Sequence, residues 1–347
     1  MSVKLHQTDS VFRFFLFPLA LFYWGVLFWR NLFYNIGFFV SNRLPCKVIS
    51  IGNLTTGGTG KTPAVIFFTK WIQEKGYKVA VLSRGYGRSS IGTQLVTDGK
   101  TQRGSWRKFG DEPVLISWAL DGVPIVVDEN RYRGGLFLIH KFNPDFIILD
   151  DGFQHRSLKR DLDIVLINSL DTRADHKLLP YGLLREPWIH MRRASLMFFT
   201  KTNYKKPSTY LRSKARSTKK PCFTSIMKYG QTLVGPEDKT IKISSVLGNN
   251  VLALSAIADP KSFIKTIQES GFKVLKSLTY VDHYIYTQED IVILRKKFET
   301  ARASLIITTE KDLVKLRELN LGDLPVYALP IQFYPQPESL KALEKMI

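Results

Sequence analysis

Three observations predict an α/β chain with a doubly wound, mostly parallel sheet, a second and smaller α/β domain, and an N-terminal membrane-associated helix. Short, continuously apolar strands alternate with helical segments over most of the 347 residues. A glycine-rich loop, Gly57-Gly58-Thr59-Gly60-Lys61-Thr62, lies between the first of those strands and the helix that follows it. Ahead of both, residues 11–40 form an apolar stretch crowded with aromatic side chains.

In chain order, the N-terminal stretch comes first. Its longest uncharged run is residues 14–29, interrupted by Pro18 and Gly25. That falls short of the roughly 20 residues that cross a hydrocarbon core. Arg30 and Asn31 break it, no small-residue cleavage site follows, and Arg13, Arg30 and Arg43 are spaced through it. Residues 1–42 are therefore expected to form a helix lying in, or dipping into, a cytoplasmic leaflet. A buried core helix is the plainer alternative.

Residues 48–51 read as a strand, and residues 63–68 as the first turns of a helix. Strand, glycine-rich loop, Gly-Lys-Thr and helix make the P-loop NTPase-like arrangement that cradles a nucleotide triphosphate. Backbone N–H groups at the helix start face the phosphates. Lys61 reaches the β- and γ-phosphates, and the Thr62 hydroxyl ligates Mg²⁺. The general motif has glycine five residues before Gly60, where this chain has Thr55.

Further strands are expected at 78–83, 124–127, 146–149 and 163–167, with helices at 111–120 and 131–140. Continuous apolarity in such strands indicates a sheet covered on both faces. Residues 203–220 are basic and poor in large apolar side chains, so they read as a linker or exposed hairpin. They divide a P-loop core at 43–205 from a C-terminal domain at 206–347. There, strands at 251–255, 272–278 and 304–307 alternate with helices at 260–270 and 288–298.

Lys and Arg number 50 against 30 acidic residues, a formal net charge of +20. The excess indicates an anionic partner: nucleic acid, an anionic membrane surface or a phosphorylated substrate. The basic residues are dispersed and no nucleic-acid module is recognisable, which ranks nucleic acid last. The two cysteines, Cys46 and Cys222, offer neither metal-ligand spacing nor a disulfide framework, as expected of a reducing cytoplasm.

Several constellations carry chemistry. Asp150-Asp151 ends an apolar strand, the edge where open α/β sheets bind ligands. One carboxylate can serve Mg²⁺ while the other orients lysine or substrate. Gln154 and His155 follow at once. Asp111-Glu112 opens a helix, either as dipole-favoured capping or as a general base for a sugar hydroxyl. Asp282-His283 in the second domain is a plausible proton-handling unit. Arg185-Glu186 lies in a proline- and glycine-rich loop. Thr309-Glu310-Lys311-Asp312 could be a helix cap only.

Together these residues resemble a known family. Ile51-Gly52-Asn53-Leu54-Thr55 with the Gly57–Thr62 loop, then Ser83-Arg84-Gly85-Tyr86-Gly87-Arg88, Gly110-Asp111-Glu112-Pro113, Asp150-Asp151-Gly152-Phe153-Gln154-His155, Leu184-Arg185-Glu186-Pro187 and Thr309-Glu310-Lys311-Asp312 are similar, in the same order, to the tetraacyldisaccharide 4′-kinase (lipid A 4′-kinase) family. The likeness runs from the N-terminal helix to near residue 315, and Thr55 is what that family carries.

The resemblance implies transfer of the ATP γ-phosphate to the 4′-hydroxyl of a tetraacylated glucosamine disaccharide 1-phosphate. It implies Mg²⁺, and a place on the cytoplasmic face of a Gram-negative inner membrane, with the acylated lipid and the anionic surface as partners and no obligate protein partner. Carried over by motif, Thr55, Thr56, Gly57, Gly58, Thr59, Gly60, Lys61 and Thr62 hold the nucleotide. Asp111 with His283 activates the hydroxyl. Asp150 and Asp151 serve Mg²⁺ and Lys61, with Asp150 and Thr62 on the metal. Arg84, Arg131, Gln154, His155, Arg185 and Glu186 shape the site. Tyr284 stands where many members have a second histidine, so the assignment rests on His283. The competing reading is a P-loop ATPase of switch or partitioning type. Those usually carry a second lysine just before the glycine pair, where this chain has Thr56.

Overall fold

In a computed structural model the described residues are 10–101 and 104–347; residues 1–9 of the expected N-terminal segment lie outside them. The chain runs α1 (Ser10–Asn35), β1 (Lys47–Asn53), α2 (Lys61–Glu74), β2 (Val79–Ser83), β3 (Gln94–Thr97), α3 (Trp106–Phe109), α4 (Asp111–Ala119), β4 (Ile125–Val127), α5 (Arg131–Phe142), β5 (Phe146–Asp150), β6 (Leu162–Asn168) and β7 (Leu196–Thr200). It continues through α6 (Thr209–Arg216), β8 (Cys222–Tyr229), β9 (Thr232–Val234), β10 (Thr240–Lys242), β11 (Asn250–Ser255), α7 (Pro260–Glu269) and β12 (Lys273–Thr279). The last elements are α8 (Gln288–Ala301), β13 (Leu305–Thr308), α9 (Glu310–Leu316), β14 (Val326–Ala328), β15 (Ile331–Pro335) and α10 (Pro337–Glu344).

Two sheets organise these elements. The larger has the order β15-β8-β7-β6-β1-β5-β2-β4-β3, parallel from β8 to β4 and closed at both edges by an antiparallel strand. Its central strands are buried apart from Lys47 at the start of β1, which is why they read as unbroken apolar runs. β1 sits between β5 and β6, in register Ile51 to Asp150 and Asn53 to Leu166. β2 pairs with β5 as Leu82 to Leu149. Asn53, Ser83 and Asp150 therefore share the C-terminal edge of the sheet, where a ligand crevice opens in this architecture.

The smaller sheet, β10-β9-β14-β13-β11-β12, packs its own helices α7, α8 and α9. Each has a defined start: Asp259 accepts from the Ser262 N–H, Thr287 and Asp290 form a capping box, and Thr309 accepts from the Asp312 N–H.

The sheets do not part cleanly at residue 206. β8 and β15 belong to the larger sheet, so the chain returns to it after building the smaller one. Residues 203–220 are neither linker nor exposed hairpin throughout. They hold α6, capped by the Ser208 side chain and burying Leu211 and Ala215. Only those two apolar side chains are buried in that helix, so the basic exposed face dominates its sequence.

α1 lies against the larger unit through one face. Leu16, Leu27 and Asn31 are buried, the Tyr23 hydroxyl donates to the Arg185 carbonyl (2.8 Å), and Arg156 Nη1 donates to Asn31 Oδ1 (2.8 Å). The opposite face exposes Phe17, Phe22, Val26, Phe28 and Trp29. Arg30 and Asn31, which break the apolar run in the sequence, point inward. The exposed face stays apolar, and the 20 residues Leu16–Asn35 are long and apolar enough to cross a membrane by length and composition alone.

Candidate active site

The phosphate loop joins β1 to α2. Gly60 caps α2 in the left-handed region (φ 85°), and a Cβ there would meet the Met227 methyl. The left-handed backbone is what calls for glycine there; a Cβ would also oblige the Met227 side chain to move. No side chain caps α2 and no acidic residue occupies its first turn, so its N-terminal N–H groups are free for an anion. Thr59 anchors the loop: its hydroxyl oxygen accepts from Asn53 Nδ2 (2.9 Å) and its carbonyl from the Thr200 hydroxyl at the end of β7 (2.9 Å). A second loop buttresses it. The Thr56 N–H donates to the Leu183 carbonyl, the Arg185 N–H to that of Leu54, and Thr55 is buried opposite Leu184.

Lys61 Nζ lies 3.4 Å from Asn53 Oδ1 and 3.7 Å from Asp151 Oδ1. Asp151 is held at φ 52° and accepts from Arg185 Nη1 (2.7 Å). Burial raises its pKa, but the charges of Lys61 and Arg185 outweigh that and hold the carboxyl below its ordinary range. Asp150 behaves oppositely. Burial, with the charges of Glu112 and Asp151 beside it, pushes its carboxyl up to about 7. Its Oδ2 accepts from the Ser83 hydroxyl (2.9 Å), and its Oδ1 is buried with no hydrogen-bond partner.

Across the cleft, His283 arrives from the smaller sheet. Its Nδ1 is 3.1 Å from Asp111 Oδ2, at the first residue of α4. Asp111 Oδ1 accepts from the Glu112 N–H (2.9 Å), at the start of α4. Lys311 Nζ sits 3.1 Å from His283 Nε2 and also faces Asp282 and Glu112 (3.4 and 3.5 Å). An ammonium has only donors, so Nε2 accepts and the ring's Nδ1–H donates to Asp111. Burial pushes the Asp111 pKa up, but the His283 hydrogen bond and the charges of Lys311, His283 and Lys315 carry it well below the carboxylate range.

Both sites open into one cleft of about 1050 Å³, lined by Lys61, Thr62, Arg84, Asp150, Asp151 and His283 among others. Arg131, Gln154, His155 and Arg185 complete its wall, and Tyr23, Arg30 and Tyr34 of α1 reach its rim. Arg131 is buried against the carbonyls of Asp128 and Glu129, and burial with Arg84 nearby pushes it down to about 10. Gln154 Nε2 donates to the Asn53 carbonyl (2.8 Å). Burial, then the charges of Arg131, Arg160, Arg84 and Arg30, pushes His155 down to about 4, so it is neutral at pH 7.

Glu186 is the exception among the wall residues expected from the sequence. It turns inward, fully buried, to Arg193 Nη2 (2.6 Å) and His190 Nδ1 (3.0 Å).

A family model for tetraacyldisaccharide-1-P 4′-kinase matches residues 12–347. The chain belongs to that family. Curated tetraacyldisaccharide 4′-kinases from Syntrophus aciditrophicus and Aquifex aeolicus are each 35% identical to it, over 97% and 96% of this chain and 93% and 97% of theirs. A crystal structure of LpxK from Aquifex aeolicus in complex with ATP superposes with a TM-score of 0.79 at 34% identity, covering 96% of this chain and 98% of that one. The match decides against the switch- or partitioning-type ATPase.

In this tetraacyldisaccharide-1-P 4′-kinase family member, three residues quoted only as parts of motifs, Asn53, Ser83 and Lys311, take specific places in the site, and Lys315 went unnoticed in the sequence. Asn53 steers both Lys61 and Thr59, and Ser83 holds Asp150. Lys311 and Lys315 face the Asp111–His283 pair. Their four-residue spacing puts both on one face of α9, which was the available signal.

Proposed function

We propose that this kinase transfers the γ-phosphoryl group of ATP to the 4′-hydroxyl of a tetraacylated glucosamine disaccharide 1-phosphate, at the cytoplasmic face of a Gram-negative inner membrane. One observation carries the reading: the phosphate loop, His283 with Asp111 hydrogen-bonded to it, and the docked apolar helix α1 meet at the same cleft, which His283 lines directly. A lipid acceptor stays in the bilayer while its sugar headgroup enters a polar site, and that is the arrangement such a cleft serves.

In the transfer, the bond from the γ-phosphorus to its bridging oxygen breaks and a bond to the 4′-oxygen forms. The hydroxyl proton passes to the Asp111–His283 pair, and ADP leaves with the bridging oxygen. Lys61 and Arg185, held by Asp151, steady the phosphate charge. The neutral His155, with Arg84, Arg131 and Gln154, orients the acceptor.

Mg²⁺ fits Asp150 and Thr62. Asp150 presents a buried oxygen without a partner, and both donors are the hard oxygens this ion takes. Among the described residues no three His, Cys, Asp or Glu side chains cluster to hold a metal. Mg²⁺ needs fewer, taking one or two carboxylates with phosphate oxygens. When bound, it neutralises charge on the phosphates. In domain terms, residues 43–205 form the nucleotide unit, extended by β8 and β15, and the remainder of 206–347 delivers His283.

The test is direct. Purified protein, Mg-ATP and the disaccharide 1-phosphate lipid are incubated and the product is read by mass. A lipid heavier by one phosphate at the 4′ position is expected. ATP hydrolysis without that product overturns the reading.

A further inference from the structure

We infer that Lys315 is a positioning residue for the Asp111–His283 pair, tying its two halves together from behind. The inference rests on the proposed role of that pair. Lys315 lies near the end of α9, with its side chain 1% exposed. Its Nζ is 3.1 Å from Asp111 Oδ2 and donates to the Tyr284 carbonyl at 3.1 Å. One ammonium thus grips the carboxylate of one partner and the backbone next to the other. The two grips lie on different units: Asp111 on a helix packed on the larger sheet, Tyr284 in the segment after β12 of the smaller one.

The geometry at Asp111 shows what this does. Oδ2 receives two donors, His283 Nδ1 and Lys315 Nζ, and Oδ1 receives the Glu112 N–H. The carboxylate is thereby fixed in one rotation. His283 stands at φ 61°, a conformation uncommon for a residue with a Cβ, with its own N–H on Asp282 Oδ1. Lys315 secures the carbonyl of the next residue, and with it the turn that aims the ring at Asp111. Lys311, one helical turn earlier, meets the other ring nitrogen from the cleft side.

Stability alone gives little reason for such a lysine. An apolar side chain replacing a buried ion pair is often neutral or stabilising. A buried cation that holds one member of a proton-handling pair and the backbone beside the other, and lines no part of the cleft, is placed to orient them.

The test is a double-mutant cycle on the full-length enzyme with Mg-ATP and the lipid acceptor. It uses Lys315→Met, Asp111→Asn and both together, with folding checked by circular dichroism and melting. Lys315→Met should lower kcat on the order of a hundredfold, the scale of a misplaced catalytic group, and leave both KM values within about twofold. In the Asp111→Asn background the same change should cost nothing further. If Lys315→Met does not fold, the double variant leaves no unpaired buried charge, and its comparison with Asp111→Asn decides alone. An equal loss in both backgrounds, or a loss confined to KM, overturns the inference and leaves the pair's role intact. A wild-type kcat for Asp111→Asn overturns both.

Discussion

His283 Nδ1 lies 3.1 Å from Asp111 Oδ2, although 172 residues and two sheets separate them. Neither residue is built for the task by its own unit. The larger sheet supplies the carboxylate at a helix start, and the smaller supplies the imidazole from a left-handed turn. If this pair accepts the hydroxyl proton, Asp111→Asn and His283→Ala should each lower kcat by roughly 10²- to 10⁴-fold, the range for a positioned acid–base group. Product mass against time measures the rate, and circular dichroism checks the fold. A rate within a few-fold of wild type in Asp111→Asn removes it as the base.

Lys61→Ala should reduce product formation at least on the order of a hundredfold, as loss of a preorganised cation at a phosphoryl-transfer site does. Among the described residues the Lys61 ammonium pairs with Asn53 and Asp151 at the edge of the cleft, outside the apolar cores of the sheets. Thermal melting should stay close to wild type. A retained rate would make the loop a bystander.

How much of this was legible in the sequence follows from distance along the chain. The phosphate loop, and Asp150 with Asp151, are local: a strand, a turn and adjacent residues spell them out. The central strands were legible because burial on both faces leaves unbroken apolar runs. β8 and β15 were not. They form an antiparallel edge pair, β8 alternates buried and half-exposed side chains, and their partners lie about a hundred residues apart. The second sheet was recognised by its strands, yet its insertion between β8 and β15 depends on pairing that no local pattern encodes. For Lys315 the sequence offers only its four-residue spacing from Lys311. Its meaning lies in Asp111, on another unit.

His155 gives a pH signature. Its ordinary pKa is about 6.5, and in the fold it is pushed down to about 4 by burial and the surrounding arginines. Between those values the unfolded chain binds a proton that the folded protein does not. Stability is therefore fully retained above about pH 6.5 and lost progressively as pH falls toward 4. His155→Gln removes that proton uptake. The melting temperature of the variant should fall less between pH 7.5 and pH 5 than that of the wild type. Parallel curves across that window would show that His155 does not titrate in this way.

The apolar helix supplies the last prediction. Deleting α1 would confound two roles, because Tyr23, Arg30 and Asn31 also dock onto the core, and Tyr23 and Arg30 border the cleft. The exposed face can be changed alone. Phe22, Val26 and Trp29 lie on one stripe and are 74%, 49% and 56% exposed. The triple change Phe22→Gln, Val26→Gln, Trp29→Gln removes the apolar area that would enter a leaflet and touches none of the docking hydrogen bonds. Flotation with anionic vesicles should show most of the wild-type protein bound and most of the variant free, since interfacial binding scales with buried apolar area. Turnover on lipid presented in vesicles should fall with it, through KM rather than kcat, because the headgroup site is unchanged. Undiminished flotation of the variant would mean that charge alone holds the enzyme to the surface, and the apolar face of α1 would need another explanation.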